Sequence, residues 1–432
     1  MKGNFQIIIM VAFITLAVLG VLVFSGVIPI GKSDEPGSLG TVILWGTVKS
    51  TTMGPLLEEF NNTNQSFVVQ YVQKEVATLD RELLEALAEG NGPDMIFLPD
   101  NLAFHYANKI APISYQNYPL VSFKKNFAGA GEVFLTKNGI LALPLAIDPL
   151  VMYYNRNQLD ANGIIYPPSF WDDLVSLIPT LIKKDETNKI TKSPVALGHY
   201  SNVNHAKEIL SALFMQTGNS IVKEQNGVLV SNLDAIASNP TFNLSSILKF
   251  YTDFADPNNS AYSWNKSFPN SMSAFSKEDL TFYFGFGSEL VSLVNTNPNQ
   301  NLGVTFFPQI RNANFKSTGA RITGVAMLTS SRNLNTAVTV GNLMATSNFA
   351  SKFAVATGMA PARRDLLRNK PSDAFSPVFY DSALYARSWL DPSPSDTNNI
   401  FRNMIDGVLS NRFNVDAAVS DADNKLNLLL LK

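Results

Sequence analysis

Along this chain, apolar residues fall in short β-like runs, each followed by a stretch with helical spacing. Thr41 to Trp45 is an apolar, β-rich run ending at Gly46; Met53 to Phe60 then carries apolar residues at helical intervals, with Glu58 and Glu59 facing solvent. Phe67 to Val72 predicts a second strand, Leu79 to Ala88 an amphipathic helix ended by Gly90 and Gly92, and Met95 to Leu98 a third strand after Pro93. Strand and helix in alternation open a parallel α/β sheet. Ligands of such sheets bind beyond the carboxyl ends of the strands, so Trp45 and Asp100 are expected at one cleft.

The stretch from Gly139 to Leu174 departs from this rhythm. Ile140 to Tyr154 is apolar but broken by Pro144 and Pro149, which predicts a buried strand, a crossing and a second strand. Asn155, a short polar helix and Gly163 follow, and Pro167-Pro168 precede Ser169, which is placed to cap the helix holding Trp171 to Leu174. Trp171 lies on the apolar side of that helix and reads as core. Further on, Pro194 to Gly198 is a small strand, Ala206 to Gln216 and Leu244 to Ala255 are helices, and Leu280 to Phe284 is a strand before the turn Gly285-Phe286-Gly287-Ser288. Leu290 to Val294 is helical, Gly303 to Phe307 runs extended to Pro308, Ile322 to Leu328 is a strand and Leu334 to Met344 a helix. Ala354 to Pro361, Pro377 to Trp389, Ile400 to Leu409 and Val415 to Leu431 form a helical C-terminal region. No repeat of roughly 20–50 residues is present, which argues against a solenoid or propeller.

At 432 residues, 46% hydrophobic and 16% charged, the chain is expected to fold as about two domains with a sizeable core. A net charge of -2 disfavours nucleic acid as a partner, and three histidines make no metal cluster evident. The N-terminus changes the picture more. No residue between Lys2 and Lys32 is charged, and Phe5 to Ile30 is long enough to span a bilayer as a helix. Residues 1–32 are therefore read as a transmembrane anchor or signal segment; a cleaved secretory signal with Val23-Phe24-Ser25 as its site is the rival reading. Lys2 favours the cytoplasmic side, leaving the rest of the chain outside a cell membrane. Residues 33–40, with Asp34, Pro36 and two glycines, read as a tether, and the absence of cysteine removes both disulfides and a thiol for a lipid.

Several landmarks now stand in order: the strand and helix from Val42 to Phe60, Pro93-Asp94-Met95-Ile96, Leu143-Pro144 before Tyr154-Asn155, Pro167 to Leu174, Gly303-Val304 to Pro308, and Pro361-Ala362-Arg363. In this order the chain resembles the extracellular solute-binding proteins of ABC importers, in particular the carbohydrate-binding group related to maltose-binding protein. The resemblance implies an α/β, two-lobe periplasmic-binding-protein fold, here with an N-terminal transmembrane helix. Lobe one is expected over 41–147 and 308–350 and lobe two over 148–307 and 351–432, with hinge crossings near Pro149 and Pro308. It also implies a monomer without enzymatic activity or cofactor, which captures a sugar by closure of the lobes and delivers it to an ABC permease in the membrane.

Sugars present apolar faces and polar edges, so their sites need aromatic platforms beside carboxylates or amides. Trp45, Trp264 and Phe286 are the stacking candidates, each with core packing as the alternative. Asp100 and Asp148 follow strands and are placed to accept hydroxyl groups, or else to cap helices. Tyr153 and Tyr154 alternate on a strand, so only one can face the cleft; Tyr154 is carried as the candidate. Asn204 and His205 precede a helix, Ser288 can offer a hydroxyl, Gly324 a close backbone approach and Arg363 a charge. Two other classes remain open from the residues alone: a secreted glycosidase using Asp100 and Asp148 as a carboxylate pair, and a tethered sensor signalling to a membrane kinase.

Overall fold

The computed structural model describes residues 39–234 and 243–431. The apolar run of 1–32 and nearly all of the tether lie outside the described residues; from Leu39 the backbone is already fixed, its N–H donating to the Ser66 carbonyl at 2.6 Å. Among the described residues, no helix is long and apolar enough to cross a membrane.

An 11-stranded sheet runs through the molecule. At one end Val68–Gln73, Thr41–Gly46 and Met95–Pro99 are parallel neighbours, with Thr318–Met327 antiparallel to the last of them. Leu143–Asn155 comes next, then Leu280–Phe286, then Ile190–Val195. The latter two are parallel to each other, which gives a second α/β half. Alternating apolar runs and helices thus produce the two parallel half-sheets their order predicts.

What joins the halves differs from the expectation. Leu143–Asn155 is one continuous strand of 13 residues, every one buried, instead of two strands and a crossing. Its first part pairs with Thr318–Met327, from Leu143 opposite Val325 to Pro149 opposite Ala320, and its second part with Leu280–Phe286 and Leu302–Thr305. Each proline removes only its own N–H donor. A register shift between Thr323 and Gly324, opposite Pro144, takes up the irregularity, so the strand bends without breaking. The return path is Thr318–Met327 running beside it, while Pro308 and Gln309 stay with the second half: the Trp171 N–H donates to the Gln309 carbonyl at 3.1 Å.

Two helix assignments also change. Ser169 is not the cap of the Trp171–Leu181 helix: Phe170 holds that position without a side-chain bond, and the Ser169 carbonyl accepts from Gln309 N–H at 3.0 Å. Asp172 and Asp173 in the first turn satisfy the helix dipole and pair with Arg311. The helix predicted over Pro377 to Trp389 ends at Tyr385; Ala386–Arg387 is extended and pairs with Thr318 and Gly319, a third connection between the halves. Asn155 caps the following helix by accepting from Gln158 N–H at 3.1 Å.

Burial fixes the rest. Trp171 packs edge-on against Phe250 and Phe307 and against Phe284, within 5.7 Å, as its place on the apolar helix face predicts. Its indole N–H donates to Gln216, whose amide bonds the Pro308 and Ser317 carbonyls, so one side chain ties the helix to the loop before the return strand. Ser347–Thr357 packs on the first half through Phe60–Phe349 and Phe97–Phe353 ring contacts at 5.1 and 5.0 Å.

Candidate functional site

Three strand ends converge where the halves meet. Met95–Pro99 delivers Asp100, Leu280–Phe286 delivers Gly287 to Glu289, and the loop after Ile190–Val195 leads to His205 at the start of the Ala206–Gln216 helix. The two shared strands contribute the centre, because Asp148 and Arg321 lie directly opposite each other in the ladder. This is the carboxyl-end crevice that an α/β sheet presents to ligands.

Each carboxylate is held by its own donors. Asp148 accepts from the Ser288 N–H at 2.9 Å and from the Ser288 hydroxyl at 2.6 Å. Asp100 accepts from the Ile322 N–H at 3.1 Å and from the Ser388 hydroxyl on the third connection. Arg321 carries its guanidinium over the Phe286 ring at 3.9 Å and donates to His205 Nδ1 at 3.3 Å. On the far side of that imidazole, Nε2 meets Glu289 at 2.5 Å, and Glu289 accepts from the Tyr283 hydroxyl at 2.7 Å. With Nδ1 accepting from Arg321, Nε2 is the nitrogen that donates to Glu289. His205 has a φ of +60°, a left-handed conformation that costs a non-glycine residue energy and turns its ring toward Phe286, with ring centres 4.8 Å apart.

Burial pushes the Asp100 and Asp148 carboxyls up to about 6, against the pull of the Ser388 and Ser288 bonds and the Arg321 charge. Both are at most 6% exposed. Between the ordinary aspartate value near 4 and about 6, the folded protein binds protons that the unfolded chain has released, so each group lowers stability as pH rises through that window. The full slope is about 1.4 kcal/mol per pH unit per group. Asp148→Asn is therefore expected to gain stability relative to the parent between about pH 4 and pH 6, a trend that urea titrations at several pH values measure; parallel curves would refute it. A hydroxyl donated to either ionised carboxylate would likewise be held more weakly below about pH 6.

The other expected site residues make contacts of their own. Trp264 is fully buried and stacked on Phe268 at 4.3 Å, so the face expected to meet a ligand is occupied. Trp45 is half-buried under the Lys74 ammonium at 3.8 Å, with Lys74 paired to Glu82. Of the two tyrosines it is Tyr153 that reaches the Phe286 carbonyl, at 2.8 Å; the alternation of a strand turns Tyr154 away, onto Gly303. Asn204 is engaged with Ser271 and the Met272 N–H, both at 3.0 Å. Gly324 makes room for Phe134 and Ala142, since a Cβ there would lie 2.8 Å from each. Arg363 is committed to Asp365 and the Ala345 carbonyl.

Asp100, Asp148, Phe286 and Ser288 are thus brought together, with His205 beside them. Arg321, Glu289, Tyr283 and Ser388 complete the group and were not anticipated. Arg321 carried one weak signal, a charge directly before the predicted strand Ile322 to Leu328; it is half exposed and also lies 3.9 Å from Glu208. Nothing in this constellation is a nucleophile elbow, and among the described residues no cluster of three or more His, Asp or Glu side chains is set to hold a metal. Its chemistry is recognition: fixed carboxylate acceptors, one guanidinium fork and an aromatic ring already covered by that guanidinium.

Comparison with known proteins accords with this architecture. A cyclo/maltodextrin-binding protein solved with maltotetraose superposes with a TM-score of 0.71 at 16% identity, covering 91% of this chain and 98% of its own. The cyclic α-maltosyl-1,6-maltose binding protein from Arthrobacter globiformis gives 0.73 at 14% identity, with 90% and 98% covered. The sugar-binding protein MalE from Xanthomonas citri gives 0.70 at 16%, with 90% and 97% covered. At such identities the likeness establishes the two-lobe periplasmic-binding-protein fold and no more. No curated protein sequence matches the chain. The family model for bacterial extracellular solute-binding proteins matches residues 56–375, a family of binding proteins and not of enzymes. With three quarters of its length inside that match, the chain belongs to the bacterial extracellular solute-binding protein family.

Proposed function

We propose that this protein binds a sugar or oligosaccharide between its two lobes and delivers it to an ABC permease, held at the outer face of the cell membrane by its N-terminal apolar segment. One observation carries the reading: Asp100, Asp148, Arg321 and the His205–Glu289 pair, drawn from both half-sheets and from the strands that join them, meet at the carboxyl ends of the strands. Buried carboxylates and a guanidinium are the partners that vicinal hydroxyls require, and closure of the lobes excludes the water that competes for them. That the structural relatives are carbohydrate-binding proteins supports the solute class. The Phe60–Phe349 and Phe97–Phe353 contacts favour assigning Ser347–Thr357 to the first lobe, which moves that lobe's expected end past residue 350. Hinge bending falls on Leu143–Asn155, Thr318–Met327 and Ala386–Arg387.

Calorimetric titration of the full-length chain in detergent against neutral gluco-, manno- and galacto-oligosaccharides tests the reading. Saturable binding of one class, lost on Asp148→Ala without turnover of the sugar, is the expected result. Failure of every sugar, or hydrolysis of the one bound, would overturn it.

A further inference from the structure

The Ala206–Gln216 helix separates two concave regions. Its amino end, at His205, meets the constellation described above; its carboxyl end opens on a cavity of about 700 Å³. Eleven residues at about 1.5 Å each put the two helix ends roughly 16 Å apart, while Ser388, which donates to Asp100, also lines the cavity. The first half contributes Gly129 to Val133 and Arg364 to the wall, the second half the hairpin of Val222–Gln225 and Val228–Ser231, and the third connection runs along the side from Leu384 to Leu390. Lys137 spans the halves beside the hairpin, pairing with Glu224 and donating to the Gly227 carbonyl, both at 3.1 Å.

The charges in this cavity do not cancel. Lys223, Lys316, Arg364 and Arg387 line it, against Glu132 and Glu224. Both carboxylates are already engaged by lysines outside the lining, Glu132 by Lys124 at 2.9 Å and Glu224 by Lys137. Among the described residues none of the four cations has a carboxylate partner: Arg364 donates to the Lys124 and Phe127 carbonyls, and Arg387 lies over the Phe315 ring at 5.2 Å. Four unneutralised cations around one concavity raise a positive potential that low-dielectric walls focus inward. Two of them are guanidinium groups, whose planar forks match phosphate and carboxylate oxygens in pairs. The volume falls in the range of metabolite-sized sites.

The geometry points to this cavity as a second ligand site, adjoining the carboxyl-end crevice at Ser388 but lined by its own cations, for a small anion bearing several charges, a phosphate ester or a polycarboxylate. The reading is independent of which solute occupies the crevice.

Isothermal titration of the full-length chain with inorganic pyrophosphate and, separately, with citrate tests it. Saturable binding of at least one probe is expected, weakening as salt is raised. Binding of pyrophosphate alone assigns the phosphate class, and of citrate alone the polycarboxylate class. Lys316→Gln combined with Arg387→Gln is expected to cost about 10-fold or more in affinity, since each removes a charge-assisted bond, whereas Asp148→Asn leaves it unchanged. Both replaced side chains are exposed, and Lys223→Gln on the hairpin gives an independent variant read in the same way. Absence of saturable binding by both probes, an unaltered affinity in the cation variants, or loss of binding in Asp148→Asn would overturn the assignment.

Discussion

Arg321→Met is expected to weaken solute binding by between about 10-fold and 150-fold, the range that follows from removing one charge-assisted hydrogen bond worth about 1.5–3 kcal/mol. Arg321 is the one cation that acts on both Asp100 and Asp148, and it also covers the Phe286 ring and donates to His205. Its charge lowers both carboxyls against their burial; without it they rise further. The sign of the accompanying stability change follows. Well below pH 6 the two carboxyls are protonated in parent and variant alike, so Arg321→Met costs little through them. At pH 8 the parent holds them ionised more easily, and the variant loses stability by comparison. Melting curves at pH 5 and pH 8 distinguish this from a packing defect, which would lower both melts equally. Arg321→Lys, keeping the charge but not the fork, is expected to retain most of the stability at pH 8 while recovering only part of the affinity.

A larger stability loss is expected at Lys207, which no functional reading touches. Its ammonium is bonded to Asp391 at 2.8 Å and to Thr397 at 3.2 Å, and the two side chains of the pair are only 8% and 4% exposed. Thr397 and the Ser393 N–H supply the remaining bonds to Asp391. Such a pair is weak evidence of net stabilisation, because desolvation offsets much of the attraction, but removing one partner strands the other charge. Lys207→Met is therefore expected to cost about 3–5 kcal/mol in urea unfolding. Lys207→Met with Asp391→Asn should restore most of that loss, since no charge is then left buried. A double variant no better than the single one would show that the ammonium acts through packing alone. The pair fastens the segment following the third connection to the helix that carries His205, so solute affinity is expected to fall along with stability.

Local pattern settled a good part of the architecture. Leu79–Ala88, Ala206–Gln216 and Leu334–Met344 form the helices that the sequence predicts, residue for residue, the first with an apolar stripe and the second buried almost all round. Thr41–Gly46 and Met95–Pro99 form strands as short apolar runs between turn signals, and the position of Asp100 just past a strand end follows at once. Ser288 was likewise legible just past a predicted strand, whereas Asp148, expected to follow a strand, lies within Leu143–Asn155. The continuous Leu143–Asn155 strand was not legible, because its prolines signal an interruption that only a neighbour's register shift absorbs.

What tertiary structure alone decided is which of the plausible site residues meet. Trp264 and Trp45 had the right chemistry, but the stacking of one on Phe268 and the Lys74 ammonium over the other depend on partners distant in sequence or placed by the fold. The bond from Ser388 to Asp100 joins residues 288 positions apart, and Arg321 faces Asp148 only because two strands pair antiparallel in one register. A one-residue slip of that register would turn Arg321 to the other face of the sheet. Periodicity reports which face of an element is apolar; it carries no information about which distant element will cover that face, and the site of this protein is made of such long-range meetings.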